Sequence, residues 1–162
     1  MIDYSIRAMS ASDLEMVWAI NQENIPAVGE ETVEVLASLH AMSSISLVAE
    51  VDSVVVGFCM VLSPHTTYRS PNYLYFCERY EDFIYLDRVA VTSDYQGAGV
   101  GAALYRKVEQ MAEASLFALE VNIKPRNEGS LRFHTREGFT LLEEVETRPS
   151  KVVGFMIKKL KG

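Results

Sequence analysis

Residues 87–104 read DRVAVTSDYQGAGVGAAL, and this stretch predicts a buried strand, a short loop and a glycine-rich turn that opens a helix. Residues 83–91 are rich in β-branched, aromatic and aliphatic side chains and are too short a run for a typical helix, which favours a strand. After Gly99, apolar residues recur at the spacing of one helix face. The first N–H groups of a helix lack intrahelical partners and lie at the positive end of its dipole. The turn therefore predicts an anion site, most simply for phosphate.

The same glycines also fit the dinucleotide-binding fingerprint G-x-G-x-x-G/A, and Glu120 follows roughly 20 residues later, where that motif places its ribose-binding acid. In that fold the first glycine ends the strand, whereas here residues 92–96 intervene. Too little chain follows Glu120 for the repeated βα units that the fold needs. A Walker A loop is excluded because no Gly-Lys-Ser/Thr sequence follows the turn. A nicotinamide-binding enzyme is therefore a weak interpretation.

Two motifs in the second half of the chain carry a resemblance to a known family. Residues 96–101, preceded by the strand residues 89–91, resemble the acyl-CoA signature Q/R-x-x-G-x-G/A of the GNAT superfamily of N-acetyltransferases. A later segment resembles that superfamily's pattern N-x-x-S/A-x-x-F-Y-x-x-x-G-F, with His134 where tyrosine is usual. Its matching residues are Asn127, Ser130, Phe133, Gly138 and Phe139. The flanking sequence is also similar to a bacterial branch of the superfamily.

This resemblance implies a single acyl-CoA N-acyltransferase domain over residues 1–162. The implied fold is α/β, with a mixed, mostly antiparallel sheet of about seven strands that is flanked by helices and has a splayed central strand pair. The implied reaction is direct transfer of an acetyl group from acetyl-CoA, the co-substrate, to a primary amine. The alternative is a non-catalytic acyl-CoA sensor or partner-binding domain, which the missing tyrosine would favour.

The resemblance also implies which residues hold acetyl-CoA. Backbone groups of the splayed strand would pair with the pantetheine, and the glycine turn would bind the pyrophosphate. The residues so implied are Val89, Ala90, Val91, Gln96, Gly97, Ala98, Gly99, Val100, Gly101, Ala102, Asn127, Ser130 and Phe133.

Acyl transfer to an amine needs a base, because a free amine with a pKa near ~10 is protonated at neutral pH. Asp87 shares a strand face with Tyr85 by the period of two. Glu120 lies in an apolar strand at a position where the resemblance implies a proton-accepting Glu in one branch of the family. A carboxylate in such a strand is costly unless it is paired. Both are candidate bases, and the alternatives are an ion pair with Arg88, a backbone-satisfied carboxylate, or a base acting through water.

His134 lies seven residues, two helical turns, after Asn127, so both should lie on one helix face. The resemblance places His134 where a tyrosine protonates the leaving thiolate. With an ordinary pKa near ~6.5, imidazole is roughly one-quarter protonated at pH 7, so it can act as the acid. A structural role for this histidine is the alternative, and Asn127 is predicted to cap its helix.

Periodicity and turn signals place the remaining elements. A helix begins at Ser10 or Ser12, with Glu15 completing a capping box with Ser12, and it ends near residues 24–26. The predicted strands are residues 4–7, 45–50, 54–62, 116–121, 141–145 and 152–157, and the further helices are residues 31–42 and 127–137. The strand at 116–121 should run parallel to the strand at 83–91.

Residues 63–80 are predicted to form a long aromatic loop, either a functional binding loop or a self-packed cover of a sheet edge. Aromatic side chains in and beyond this segment are the candidate contacts of the acceptor. They are Tyr73, Tyr75 and Tyr85.

Composition limits the classes of partner that the protein is expected to bind. The net charge of −7 argues against a nonspecific nucleic-acid binder. No apolar run reaches the ~18 residues of a membrane span and no signal peptide is recognisable, so no membrane partner and a cytoplasmic location are expected. Cys59 and Cys77 are expected to be free thiols, and no metal site is expected. The acceptor is a small-molecule or peptide amine of unknown identity, and a homodimer is left open because dimers are common in the superfamily.

Overall fold

The computed structural model describes residues 3–160, so residues 1, 2, 161 and 162 of the expected domain lie outside it. Short 3-10 turns at Ala11–Asp13 and Ser93–Tyr95 accompany the main elements. In chain order these elements are β1 (Ser5–Ala8), α1 (Leu14–Glu23), α2 (Val33–Met42), β2 (Ile45–Val51), β3 (Val54–Leu62), α3 (Pro71–Arg79), β4 (Ile84–Val91), α4 (Val100–Met111), β5 (Leu116–Lys124), α5 (Glu128–Arg136), β6 (Thr140–Arg148) and β7 (Lys151–Lys159).

The strands form one seven-stranded sheet in the order β1-β2-β3-β4-β5-β7-β6. The pairs β1–β2, β2–β3, β5–β7 and β6–β7 are antiparallel. β4 and β5 are parallel, with Ile84 opposite Phe117 and Tyr85 opposite Ala118. This register covers the first two residues of β4. The predicted mixed, mostly antiparallel α/β sheet is confirmed, as is the parallel direction of β5.

Local signals account for several confirmed element boundaries. The β2–β3 hairpin turns at Asp52 and Ser53, which both have positive φ, as a two-residue hairpin turn requires. The Thr32 side chain caps α2 by accepting the Val35 N–H at 3.1 Å. Gly138 follows α5 with a φ of +99°, the left-handed conformation in which glycine commonly ends helices.

The predicted loop over residues 63–80 is wrong, because Pro71–Arg79 form α3. Proline occupies the first helical position, where its missing N–H and fixed φ are tolerated. Tyr73 and Phe76, three residues apart on one face of α3, are fully buried. Only the packing of this aromatic face makes the helix evident.

The predicted capping box of Ser12 with Glu15 is also wrong. The backbone N–H of Ser10 donates to Asp13 Oδ2 at 2.8 Å, so the box joins these two residues. Arg7 donates to both oxygens of the Asp13 carboxylate at 2.8 Å, and this is the main reason that the pKa of Asp13 is lowered to about 2. Asp13 is preferred as the capping acid because it has this ion-pair partner on β1.

The chain divides into two compact units. Unit 1 comprises Met1–Tyr68 and Leu86–Ala112, and unit 2 comprises Arg69–Tyr85 and Glu113–Gly162. In unit 1, apolar side chains of α1, α2 and β3 form a core that includes Val17, Leu36 and Phe58. In unit 2, aromatic rings pack together, with Phe76 against Tyr85 and Phe155 at centroid distances of 5.9 and 5.3 Å.

Cys59 is buried and Cys77 is half-buried, and both are free thiols, as expected. Over residues 3–160, no helix combines the length and the apolarity that crossing a membrane requires. The same residues contain no group of three or more His, Cys, Asp or Glu side chains that could hold a metal ion.

Candidate active site

In unit 1, the glycine turn has the backbone geometry of an anion site. Gly97 and Gly99 have φ values of +79° and +87°, and a Cβ at either position would meet nothing within 4 Å. Gly99 caps α4, and the amides of the next three residues, 100–102, have no acceptor within the helix. Open space, left-handed glycines and amides without an acceptor in the helix are together the features of an anion site.

The side chain of Gln96 holds the start of this turn to the strand before it. Its Nε2 donates to the Val91 carbonyl at 2.9 Å and to Asn24 Oδ1 at 3.0 Å. Gln96 is therefore anchored within unit 1 through its side chain. Of the predicted strand contacts, Ala90 is buried, whereas Val89 and Val91 are half-buried. The roles predicted for these residues toward acetyl-CoA stay predictions.

Asp87, also in unit 1, is held at both carboxylate oxygens. Tyr68 donates its hydroxyl to Oδ1 at 2.6 Å, and Arg88 Nε donates to Oδ2 at 3.0 Å. The same guanidinium donates to Asn21 Oδ1 at 2.8 Å and to Glu31 Oε1 at 3.3 Å. The Asp87 and Arg88 side chains are only 5% and 7% exposed. The ion pair that the sequence left as an alternative for Asp87 is thus present.

Glu120, in unit 2, accepts hydrogen bonds from two neutral donors. The Tyr85 hydroxyl donates to Oε2 at 2.7 Å, and Asn72 Nδ2 donates to Oε1 at 3.2 Å. The neighbouring β5 residues Leu119 and Val121 are buried, while Glu120 is half-buried. The carboxylate therefore has a fixed direction within an apolar strand. Sequence reasoning missed Asn72, because no local pattern connects residues 48 positions apart.

The three tyrosines proposed to contact the acceptor have different surroundings in unit 2. Tyr73 is fully buried, with its ring 5.4 Å from that of Tyr85. Tyr75 stacks on Phe155 at 3.7 Å and donates its hydroxyl to Glu143 at 2.5 Å. Burial first, and then Glu143, raise the pKa of Tyr75 to about 12. Tyr85 donates its hydroxyl to Glu120, and the acceptor role of all three stays a prediction.

His134 is buried on α5 in unit 2. Its Nδ1 lies 2.8 Å from the Ser130 carbonyl, so in the neutral ring that nitrogen carries the proton and donates it. Burial lowers the pKa of His134, and the bond to the Ser130 carbonyl opposes this only in part. Phe133 and Phe139 contact the imidazole at centroid distances of 5.1 and 5.5 Å. Asn127 caps the helix as predicted, accepting the Ser130 N–H at 3.1 Å.

The predicted site residues therefore fall into separate groups. Unit 1 contains the strand residues 89–91, the turn residues 96–102 and Asp87. Unit 2 contains Glu120 with Tyr85 and, on α5, the segment from Asn127 to His134.

Comparison with known proteins supports the motif resemblance. A model of the "Acetyltransferase (GNAT) family" matches residues 11–139. Ard1 from Thermoplasma volcanium has a similar structure, with a TM-score of 0.80 and 20% identity over 99% of this chain and 100% of that one. The ribosomal-protein-S18-alanine N-acetyltransferase from Escherichia coli gives 0.76 and 17%, over 99% and 96%.

A third similar structure is yncA from Salmonella typhimurium with its cofactor acetyl-CoA, which gives a TM-score of 0.74 and 17% identity over 99% of this chain and 95% of that one. Identities at this level show a shared fold. No curated protein matches the sequence significantly. The family model, in contrast, spans most of the 162 residues. The chain therefore belongs to the GNAT family of acetyltransferases.

Proposed function

We propose that this acetyltransferase moves the acetyl group of acetyl-CoA directly to a primary amine, with Glu120 as the general base. Acetyl-CoA supplies the acetyl group as a thioester that an amine can attack. The amine must first lose a proton, because at neutral pH it is almost wholly an ammonium ion. A base whose carboxylate is already fixed in direction lowers the entropic part of the activation barrier for this proton transfer.

The observation that carries the proposal is the arrangement around Glu120. Tyr85 and Asn72 each hold one carboxylate oxygen, at 2.7 and 3.2 Å, and neither donor is charged. A carboxylate oxygen has lone pairs for more than one hydrogen bond, and this is the property that a proton acceptor for an ammonium group requires. Asp87 is less suited to the role, because its carboxylate forms the shorter of the ion pairs that the buried Arg88 guanidinium makes with Asp87 and Glu31.

The glycine turn of unit 1 is the proposed binding site for the phosphates of the donor. The support is the positive φ of Gly97 and Gly99 and the open space beside both. The residues that match the second motif, the helix cap Asn127 and the α5 residues Ser130 and Phe133, are proposed to contact the donor as well.

His134 is the proposed acid for the departing thiolate. At pH 7 an ordinary histidine is roughly one-quarter protonated. Because burial lowers the pKa of His134, its protonated fraction is smaller than that. A thiol with an ordinary pKa of about 8.5 is a good leaving group even without a proton donor. We therefore expect His134→Gln to slow turnover less than Glu120→Gln does.

The acceptor is proposed to be the primary amine of a small molecule or of a peptide. The test is a screen for thiol release from acetyl-CoA in the presence of polyamines, amino acids, lysine-containing peptides and peptides with free N-termini. Thiol release that depends on the amine, together with acetylated product, supports direct transfer. Binding of coenzyme A without release for any amine would favour the non-catalytic sensor instead.

Glu120→Gln tests the base. Loss of a general base is expected to lower kcat by about 100-fold or more, while the Kd of coenzyme A stays unchanged. The control is Glu144→Gln, which makes the same change at an exposed position of β6. Equal kcat values for the two variants would remove Glu120 from the proposed role.

A further inference from the structure

Side chains at the C-terminal end of α1 are hydrogen bonded to the segment that leads into the glycine turn. Glu23 Oε1 accepts the Ser93 backbone N–H at 3.0 Å and the Thr92 hydroxyl at 2.9 Å, and its Oε2 lies 3.0 Å from that hydroxyl. Asn24 Nδ2 donates to the Val91 carbonyl at 3.2 Å. Glu23, the last residue of α1, and Asn24, which follows it, thus contact the end of β4 and the 3-10 turn after it.

Asn24, Val91 and Gln96 form a closed set of hydrogen bonds. Gln96 Nε2 donates to the Val91 carbonyl and to Asn24 Oδ1, and Asn24 donates to the same carbonyl. Gln96 directly precedes Gly97, so this set fixes the backbone at the entrance of the turn.

The glycine turn needs such external support. Gly97 and Gly99 have positive φ, and a Cβ at either would meet no atom within 4 Å, so packing at these positions does not restrain them. Glycine has more conformations available than any other residue. The turn is therefore held mainly from its two ends, by α4 after Gly99 and by residues 91–96 before Gly97.

Glu23 is present at this site as a carboxylate. The Ser93 N–H first, and then the Thr92 hydroxyl, lower the pKa of Glu23. Its presence so close to the turn is otherwise unexpected, because a negative charge disfavours a polyanionic ligand. If Glu23 acts only through its charge, removing it should strengthen the binding of an anionic ligand. If Glu23 positions the turn, removing it should weaken that binding.

We propose that Glu23 and Asn24 are positioning residues for the acyl-CoA turn. They hold residues 91–96 so that the amides after Gly99 are preorganised for the donor's phosphates, without needing to touch the donor. This inference rests on the proposed binding of the donor by the turn. Preorganisation contributes to affinity by reducing the ordering that binding requires.

The test is calorimetric titration of coenzyme A into the wild type and into Glu23→Ala, Glu23→Gln, Asn24→Ala and Glu30→Ala. Glu30 is the matched control, an exposed acid on the connection between α1 and α2. We expect Glu23→Ala to weaken binding about tenfold and Asn24→Ala to weaken it several-fold. Glu23→Gln should recover most of the affinity, because its amide oxygen can still accept the Ser93 N–H. Glu30→Ala should bind equally well or more tightly, since it removes a negative charge.

Steady-state kinetics and amide hydrogen exchange distinguish a positioning role from a general loss of stability. The KM for acetyl-CoA should rise in Glu23→Ala with kcat nearly unchanged, and the Ser93 amide should exchange faster with the global unfolding midpoint preserved. Wild-type affinity in both Glu23→Ala and Asn24→Ala would overturn the positioning role while leaving the proposed function intact. Failure of the wild type itself to bind coenzyme A would overturn both.

Discussion

Glu120 and Asp87 are both carboxylates on buried strands, but the donors that hold them differ in charge. Asp87 is bound by a guanidinium and a hydroxyl, whereas Glu120 is bound by a hydroxyl and an amide. If Asp87 took up a proton, Arg88, which is only 8% exposed, would lose the shorter of its ion pairs with Asp87 and Glu31, and breaking a buried ion pair is destabilising. The hydroxyl and the amide that donate to Glu120 are neutral, so neither would lose a counter-charge if Glu120 accepted a proton. The surroundings favour a base role for Glu120 and an anchoring role for Asp87.

Tyr85→Phe tests whether the fixed direction of the Glu120 carboxylate matters. The change removes the hydroxyl that donates at 2.7 Å and keeps the ring in the aromatic cluster of unit 2. We expect kcat to fall about tenfold, because a hydrogen bond to a charged group contributes roughly 1.5–3 kcal/mol, and the Kd of coenzyme A to stay the same. Tyr80→Phe, on the half-buried tyrosine after α3, is the control. Wild-type kcat in Tyr85→Phe would show that the bond has no catalytic role.

His134 should make the stability of the protein depend on pH. Its folded-state pKa is lowered by burial, so below the ordinary value of about 6.5 the unfolded chain binds more protons than the folded one. The stabilising contribution is complete above that pH and is lost as pH falls through the lowered folded-state pKa, by at most about 1.4 kcal/mol per pH unit.

Urea unfolding of the wild type and of His134→Gln between pH 8 and pH 5 measures this effect. The wild type should lose stability on acidification more steeply than the variant, and His65→Gln, at an exposed position, controls for removing an imidazole. Asp13, with a pKa lowered to about 2, loses its contribution only at more acidic pH, so the two effects are separable. Parallel pH profiles for wild type and His134→Gln would contradict the prediction.

At the scale of elements, two glycines beside α4 serve different purposes. Gly57 on β3 faces the neighbouring strand and helix, where a Cβ would lie 3.3 Å from Ala90 O, a Val91 methyl and a Val100 methyl. Gly57 is needed for close packing. Gly99 has open space beside it but a φ of +87°, so it is needed for its backbone conformation.

Gly99→Ala should therefore affect binding more than folding. The left-handed conformation costs an L-residue roughly 1–2 kcal/mol, and no clash adds to that. We expect a stability loss of about that size and at least a tenfold rise in the Kd of coenzyme A, because a residue that disfavours the left-handed conformation disturbs the turn whose amides are proposed to bind the phosphates. Gly57→Ala is the comparison, with an expected loss of stability through crowding. A Gly99→Ala variant that binds as tightly as the wild type would argue against phosphate binding at the turn.

At the scale of the whole molecule, the charge is unevenly distributed along the chain. Acidic residues outnumber basic ones by 22 to 15, and residues 8–68 contain eight Asp or Glu and no Lys or Arg. This span includes α1 and α2. A field of this sign raises the encounter rate of cations and lowers that of anions.

The preference among acceptors should accordingly depend on ionic strength. For two peptide acceptors that differ by one Arg-to-Glu exchange, kcat/KM should favour the Arg peptide at low salt. The difference should shrink several-fold near 0.1 M salt, where the Debye length is about 10 Å. A preference that salt does not change would point to a local contact instead, and a preference for the Glu peptide would contradict the prediction.

The sequence by itself determined the elements whose signals act over a few residues. The strand–turn–helix around residues 87–104, the strands on either side of residues 51–53 and the Asn127 cap were all predicted, because glycine conformation, strand patterns and helix caps depend on neighbours along the chain. The overall α/β sheet followed from the same patterns together with the family resemblance.

Only the tertiary structure decided the partners of the polar side chains. Tyr85 and Asn72 lie 35 and 48 positions from Glu120, and the guanidinium of Arg88 reaches Asn21 across 67 positions. α3 became evident through the burial of Tyr73 and Phe76. Strand register and helix packing determine these contacts, and a local pattern of residue types specifies neither the register nor the packing. A sequence can therefore present two carboxylates as equal candidates, and the folded chain distinguishes them by the donors it brings to each.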